Sequence, residues 1–299
     1  MKSLIVIVGP TGVGKTACCI KIAEHFGIPI INADSRQIFK DIPIGTAAPT
    51  HEERQQANFF FAGCKSIKEY YNAAMFENDV IKLLDKLFSK YDKAIMCGGS
   101  MMYVDAVCNG IDDIPNVKED VRRELVSRYE NHGIDEIRDE LKILDPEYFA
   151  IVDKNNPKRI IHAVEICLST GKKYSSFRRN TKKKRTFNII KIGLNINDRE
   201  ILYKRIDKRV DAMIEGGLVE EAKAMYPYRS ENALNTVGYK EMFDYFDGKT
   251  PFDEAVFKIK SNTHKYCRKQ ITWFKRDKEI HWFSPDNTEE IINYINSSV

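Results

Sequence analysis

The sequence predicts an α/β fold, a central parallel sheet flanked by helices with a helical domain inserted into it. Three observations predict it. Apolar runs of strand length, at residues 4–8, 27–34, 93–97 and 188–194, alternate with stretches in which apolar residues recur at helical spacing. The alternation stops between about residues 114 and 185, where three helical segments follow one another without a strand. The early strands run into glycine or carboxylate turns, and the carboxyl ends of strands are where doubly wound sheets gather ligands. The expected division is a core of residues 1–113 and 186–299 and an insertion of residues 114–185.

The first element is Leu4-Ile5-Val6-Ile7-Val8, which leads into Gly9-Pro10-Thr11-Gly12-Val13-Gly14-Lys15-Thr16 and then into a helix from Ala17. This is a full match to the phosphate-binding loop, in the strand-to-helix setting that the loop requires. Gly9, Gly12 and Gly14 let the backbone curl with its N–H groups inward, and the dipole of the following helix adds positive potential there. Oxygens of a diphosphate fit that cradle. Lys15 brings a point charge to them, and the Thr16 hydroxyl is placed to hold a magnesium ion bridging two phosphate groups. The loop tells what is gripped but not which bond breaks, since phosphorus can be attacked or the diphosphate can leave from carbon.

The second strand delivers Asp34-Ser35-Arg36-Gln37 close to this loop. Asp34 has two readings at this point, a carboxylate of the site or a helix N-cap. Residues 42–50, with Pro43, Gly45 and Pro49, have the composition of a loop and are expected to lie across the site. Residues 66–91 carry helical spacing, with Tyr70, Ala73, Ala74, Val80, Ile81, Leu84 and Leu87 toward a core. The third strand ends in Gly98-Gly99-Ser100, a tight turn before another helix.

In the insertion, residues 117–131, 134–144 and 157–168 read as helices, the last with Pro157 in its first turn and a stop at Ser169-Thr170-Gly171. Strand character returns at residues 188–194. A long helix from about Asp198 puts Arg205 and Arg209 on one face, breaks at Gly216-Gly217 and resumes over residues 218–225. A helical stretch ending near Phe274 and a last strand at residues 279–283 complete the chain.

With 299 residues, 43% of them hydrophobic, there is ample material for a buried core. The net charge of +4 is unevenly spread: residues 172–185 hold eight Lys or Arg and no acid, and residues 264–278 form a second basic run. A polyanionic partner suits both. The seven cysteines show no Cys-x-x-Cys pair or metal spacing, so reduced, buried thiols are expected. The first residues run straight into a strand, leaving no room for a signal peptide, and no apolar run approaches the roughly 20 residues that cross a bilayer. A soluble cytoplasmic protein is the expectation.

The phosphate loop, Asp34-Ser35-Arg36-Gln37-Ile38-Phe39, Ile44-Gly45-Thr46-Ala47, Gly98-Gly99-Ser100 with Tyr103, Leu144-Asp145-Pro146, Asn156-Pro157-Lys158-Arg159-Ile160, Gly217-Leu218 with Glu221, Val237-Gly238-Tyr239-Lys240 and Lys269-Gln270-Ile271-Thr272-Trp273-Phe274 follow one another along the chain. Together they resemble the tRNA dimethylallyltransferase family, in the family's order and over nearly the whole length. The resemblance implies a P-loop NTPase-like core. It also implies transfer of the dimethylallyl group from dimethylallyl diphosphate to N6 of adenosine 37, in tRNAs reading codons that begin with U. The loop, Gly9, Pro10, Thr11, Gly12, Val13, Gly14, Lys15 and Thr16, would then hold the diphosphate of the prenyl donor together with Arg209.

By the same resemblance the catalytic residues are Asp34, Thr16 and Arg209, with Asp34 as base on the amine and Thr16 on magnesium. The implied tRNA contacts are Asp34, Ser35, Arg36, Gln37, Ser100, Arg122, Lys158, Arg159, Ile160, Ile161, His162, Ala163, Arg268, Lys269, Gln270 and Trp273. Ser100 stands where the family often has threonine. The histidine-containing loop pattern expected around Asn58-Phe59-Phe60 is missing, and there is no zinc-finger extension like that of eukaryotic members. The expected form is a monomer without membrane association.

An adenine N6 amine is a poor nucleophile because its lone pair is delocalised into the ring. A carboxylate within reach takes its proton as the N–C bond forms, an effect of about 10² to 10⁴ in rate. Charge builds on the departing diphosphate, and fixed N–H groups, Lys15, Arg209 and magnesium stabilise it increasingly as the C–O bond stretches. Presenting the base costs unstacking, less in an anticodon loop than in a duplex. Two other readings share parts of this pattern. A small-molecule kinase on a P-loop would use the first 40 residues and the Arg205 and Arg209 pair, and gives no role to the basic runs. A non-catalytic RNA-binding protein with a relict loop would use those runs and leave Lys15, Thr16 and Asp34 without a purpose.

Overall fold

The computed structural model describes residues 2–115, 117–178 and 182–298. It consists of two units, Met1–Asn109 with Lys184–Val299, and Gly110–Lys183. In the first, β1 (Ser3–Val8) is buried at every position and α1 (Lys15–Phe26) follows it, closed by Gly27 in the left-handed region. Next come β2 (Ile30–Asn32), α2 (Pro43–Thr46), α3 (His51–Gln56), β3 (Phe59–Phe60), α4 (Ala73–Phe88), β4 (Lys93–Gly98) and α5 (Met101–Asn109).

Two sequence expectations are corrected here. The stretch at residues 42–50 contains one helical turn, α2, which opens on Pro43 with its φ already set for a helix. The helix expected from residue 66 starts at Ala73, because the Asn72 side chain accepts the Met75 N–H and caps it there. Tyr70 consequently lies outside the helix and is 62% exposed.

The second unit is helical. It holds α6 (Glu119–His132), α7 (Asp135–Leu144), α8 (Pro146–Ile151) and α9 (Pro157–Thr170) around a core that includes Leu125, Ile137, Leu141, Tyr148, Ile160 and Val164. The short α8 escaped the sequence reading. Asp145, fully buried, starts it by accepting the Tyr148 N–H at 3.0 Å and also takes the Ser175 N–H at 2.6 Å and the Ser175 hydroxyl at 2.9 Å.

The chain then returns to the first unit with β5 (Asn188–Leu194), α10 (Arg199–Glu215), α11 (Leu218–Met225), α12 (Tyr239–Phe246), α13 (Phe252–Phe274), β6 (His281–Phe283) and α14 (Thr288–Ser297). The six strands form one sheet in the order β3-β2-β4-β1-β5-β6, with every pairing parallel. Helices cover both faces, as a parallel sheet requires. Leu4, Val6 and Val8 of β1 join a core with α4, α5 and α12 residues, while Ile5 and Ile7 join one with α1 and α14 residues. Register brings Val8 level with Gly98 on one side and Gly193 on the other, so the loop after β1 leaves from the middle of the sheet's carboxyl edge. Among the described residues no helix is long and apolar enough to cross a membrane.

Candidate active site

The loop between β1 and α1 curls around positive-φ glycines. Gly12 shows why no larger residue fits: its φ is 79°, and a Cβ there would stand 2.8 Å from Ile206 Cγ1 of α10. Lys15 folds back over the loop and donates through Nζ to the carbonyls of Gly9 at 3.0 Å and Pro10 at 2.9 Å. Burial pushes its amine below the ordinary lysine value, with nearby Arg209 adding to the effect and Asp34 opposing it. Such a cation gains from an anion beside it. Below the loop, burial pushes the thiols up, Cys18 to about 12 and Cys267 to about 11, so they stay protonated.

A cavity of about 1280 Å³ lies over this loop and is lined within the first unit. Its walls include Thr11, Lys15 and Thr16, the Asp34 to Gln37 turn, residues 43–51, Gly98 and Gly99, Arg209, and Tyr266 and Gln270 of α13. Asp34 Oδ1 accepts the backbone N–H of Arg36 at 2.9 Å and of Gln37 at 3.3 Å. Its place at the end of β2 is thus an Asx-type turn inside the cavity and not a helix cap. Arg209 reaches the Thr11 hydroxyl at 3.4 Å and the Thr46 carbonyl at 3.5 Å, both long contacts. Burial lowers its guanidinium and Asp34 works against that. Arg205, one turn earlier, is exposed and does not line the cavity. Burial, with Asp34 nearby, pushes the Tyr266 hydroxyl well above the ordinary phenol value and keeps it a donor.

A cradle of N–H groups with Lys15 and Arg209, facing the same space as a carboxylate, suits departure of a diphosphate on one side and loss of a proton on the other. The model of the IPP transferase family matches residues 37–277. The chain belongs to the IPP transferase family. It is 55% identical over 295 residues to tRNA dimethylallyltransferase 1 of Phocaeicola vulgatus, covering 99% of this chain and 98% of the relative. It is 54% identical over 299 residues to tRNA dimethylallyltransferase 2 of Parabacteroides distasonis, across 100% of both.

Among solved structures, a tRNA isopentenylpyrophosphate transferase from Bacillus halodurans superimposes with a TM-score of 0.73 at 32% identity, over 100% of this chain and 97% of that one. A eukaryotic dimethylallyltransferase described as acting on tRNA superimposes with a TM-score of 0.82 at 25% identity, over 100% and 81%. The parallel sheet, loop and flanking helices are the P-loop NTPase-like core of this family.

Within this IPP transferase core, Ser100 and Gln37 act on neighbouring backbone. Ser100 Oγ accepts the Ser35 N–H at 2.8 Å and donates to Ser35 Oγ at 3.1 Å, joining the turn after β4 to the end of β2. Gln37 Nε2 donates to the carbonyls of Thr46 at 3.1 Å and Ala47 at 2.9 Å.

Several residues read from the sequence as tRNA contacts have partners within the chain. Arg36 donates through Nη1 and Nη2 to the carbonyls of Asn232 at 2.7 Å, Ala233 at 3.2 Å and Asn235 at 3.4 Å. Gln270 is buried and bridges the Thr11 N–H and the Gly99 carbonyl. Trp273 is half-buried and donates to Asp105 at 3.1 Å. Arg268 and Lys269, immediately before Gln270 on α13, are exposed.

In the second unit Ile160, Ile161 and Ala163 belong to the core, because consecutive residues on a helix cannot all face outward. Lys158 and Arg159 are exposed. His162, half-buried, lies 3.4 Å from buried Glu165, and Arg122, exposed, lies 3.7 Å from it. Of the basic run at residues 172–185, Arg179 lies outside the described residues. Arg185 turns inward to Glu77 and to the carbonyls of Ala106 and Val107. Sequence reasoning assigned no role to His51, which lines the cavity from the start of α3, or to Tyr266 and Glu221; a half-buried tyrosine in a helix carries no signal of its own.

Proposed function

We propose that the protein transfers the dimethylallyl group of dimethylallyl diphosphate to N6 of adenosine 37, in tRNAs reading codons that begin with U, and releases diphosphate. The observation that carries this reading is that Asp34 faces the same cavity as Lys15 and Arg209. The loop N–H groups, Lys15 and Arg209 take up the charge of the departing diphosphate, and Asp34 takes the proton of the attacking amine. The names borne by full-length relatives favour tRNA prenylation over a small-molecule kinase or a non-catalytic RNA binder.

Thr16 lines the cavity at the start of α1, so its hydroxyl fits as a magnesium ligand. Among the described residues no group of three or more His, Cys, Asp or Glu could hold a metal, and the diphosphate oxygens would complete the shell. Bound there, magnesium supplies positive charge to the leaving group. The exposed Lys158, Arg159, Arg268 and Lys269 contribute phosphate contacts to the tRNA. The protein works as a monomer in the cytoplasm.

The test is incubation with magnesium, isotope-labelled dimethylallyl diphosphate and unmodified tRNA bearing A36-A37-A38, followed by nuclease digestion and mass spectrometry. Label confined to adenosine 37 is the expected result. Labelled nucleoside absent while tRNA still binds would overturn it.

A further inference from the structure

Residues 43–48 line the cavity and hold two of its side chains. The Thr46 carbonyl accepts from Gln37 Nε2 at 3.1 Å and from Arg209 at 3.5 Å, and the Ala47 carbonyl accepts from Gln37 at 2.9 Å. Only the four-residue α2 gives this strap regular structure, so it needs an outside anchor to keep one position. The anchor is Glu221 of α11. One carboxylate oxygen accepts the Ile44 N–H at 2.9 Å and the other the Gly45 N–H at 2.8 Å, and the buried Tyr239 hydroxyl donates to the second oxygen as well. The fit is close, since a Cβ on Gly45 would stand 2.5 Å from the Tyr239 hydroxyl. Neither Glu221 nor Tyr239 is among the residues lining the cavity.

We propose that Glu221 is a positioning residue for the transfer, one that acts through the strap by fixing where Thr46 and Ala47 hold Arg209 and Gln37. Hydrogen bonds from two amides to an ionised carboxylate are stronger than neutral ones. Tyr239 lends a third, to the oxygen that already accepts the Gly45 N–H, while the two amides fix the carboxylate's orientation. A displacement of about 1 Å in groups that act at the transition state can cost about 10² in rate, so the anchor is felt in turnover more than in tRNA affinity. The kinetic part rests on the prenyl-transfer reading; the link to Arg209 does not.

The experiment pairs Glu221→Gln with Arg209→Ala in a double-mutant cycle. It reads binding of magnesium pyrophosphate by calorimetry and, separately, kcat and KM for prenyl transfer. Glu221→Gln presents an amide N–H to one of the two strap N–H groups. It is expected to lower kcat about 10- to 100-fold while KM for tRNA stays within about threefold. Added to Arg209→Ala it should weaken pyrophosphate binding no further, since both act on one contact. Tyr239→Phe, which leaves both amide bonds, should stay within about threefold of the parent in kcat, far from the loss in Glu221→Gln.

Additive effects on pyrophosphate, or normal kcat in folded Glu221→Gln, would overturn the proposal. If Glu221→Gln fails to fold, Glu221→Asp, which keeps the charge and shortens the reach, replaces it in the same cycle. Should the parent protein transfer no prenyl group, the prenyl-transfer reading falls, and the pyrophosphate cycle alone decides whether Glu221 works through Arg209.

Discussion

The backbone N–H of Thr11 donates to Gln270 Oε1 at 2.8 Å, across 259 residues of sequence. The same amide spends its other end on the Gly99 carbonyl at 2.9 Å, in a position only 1% exposed. One side chain of α13 thus ties the phosphate loop to the turn after β4. Gln270→Leu strands both backbone groups and is expected to cost about 2 kcal/mol in urea unfolding. Gln270→Glu keeps the acceptor for Thr11 but sets a carboxylate beside the diphosphate cradle. It should weaken pyrophosphate binding more than its own effect on stability accounts for.

Asp34→Asn preserves an oxygen for the Arg36 and Gln37 N–H groups while removing the base. Single-turnover prenyl transfer should fall about 10² to 10⁴-fold, with tRNA affinity and thermal melting near those of the parent. Near-normal turnover would show that another group takes the proton.

Lys15 makes a pH-dependent prediction. Burial lowers its amine below the ordinary 10.5, so between the lowered value and 10.5 the folded protein binds fewer protons than the unfolded chain. Stability of the ligand-free protein therefore rises with pH across that window, because the cost of burying the charged form disappears. Pyrophosphate affinity moves the opposite way, weakening as the amine becomes neutral. Calorimetric titrations at increasing alkaline pH check both, and Lys15→Ala should flatten the pH dependence of binding while lowering its affinity at neutral pH.

On α9, exposed and buried neighbours should separate two kinds of effect. Lys158→Ala and Arg159→Ala are each expected to reduce the slope of log tRNA affinity against log salt by about 1. Ile160→Ala, in the core of the second unit, should leave that slope unchanged and cost about 2 to 4 kcal/mol of stability in that unit. Filter binding at several salt concentrations, beside thermal melts, distinguishes them.

What could be read from the chain follows from the range over which each signal acts. The loop at residues 9–16 is a contiguous pattern whose chemistry is local. Residues 188–194 and 218–225 have the observed bounds of β5 and α11, because the first is a single, largely apolar run and Gly216-Gly217 marks the start of the second. The four residues of α2 and six of α3 are too short for a period to register, and the edge strands β3 and β6, of two and three residues, owe their form to neighbours. Side-chain direction was hardest where a motif was read as a contiguous block. On α9 helical phase alone turns Ile160 and Ala163 inward beside Lys158 and Arg159. Gln270 sits in a basic run and still points into the core, because its partners come from distant parts of the chain.

β1 is paired along all six of its residues with β4 on one side and β5 on the other, whereas β3 at one rim contributes two residues and β6 at the other three. Openings that begin at the rims cost little free energy, and those that reach the centre approach the cost of unfolding the whole unit. Amide hydrogens should exchange rapidly at Phe59 and Phe60 and slowly at Ile5 and Ile7. The loop hung from β1 thus keeps its shape while the margins of the sheet breathe, and its readiness for a diphosphate is inherited from the strand least able to let go.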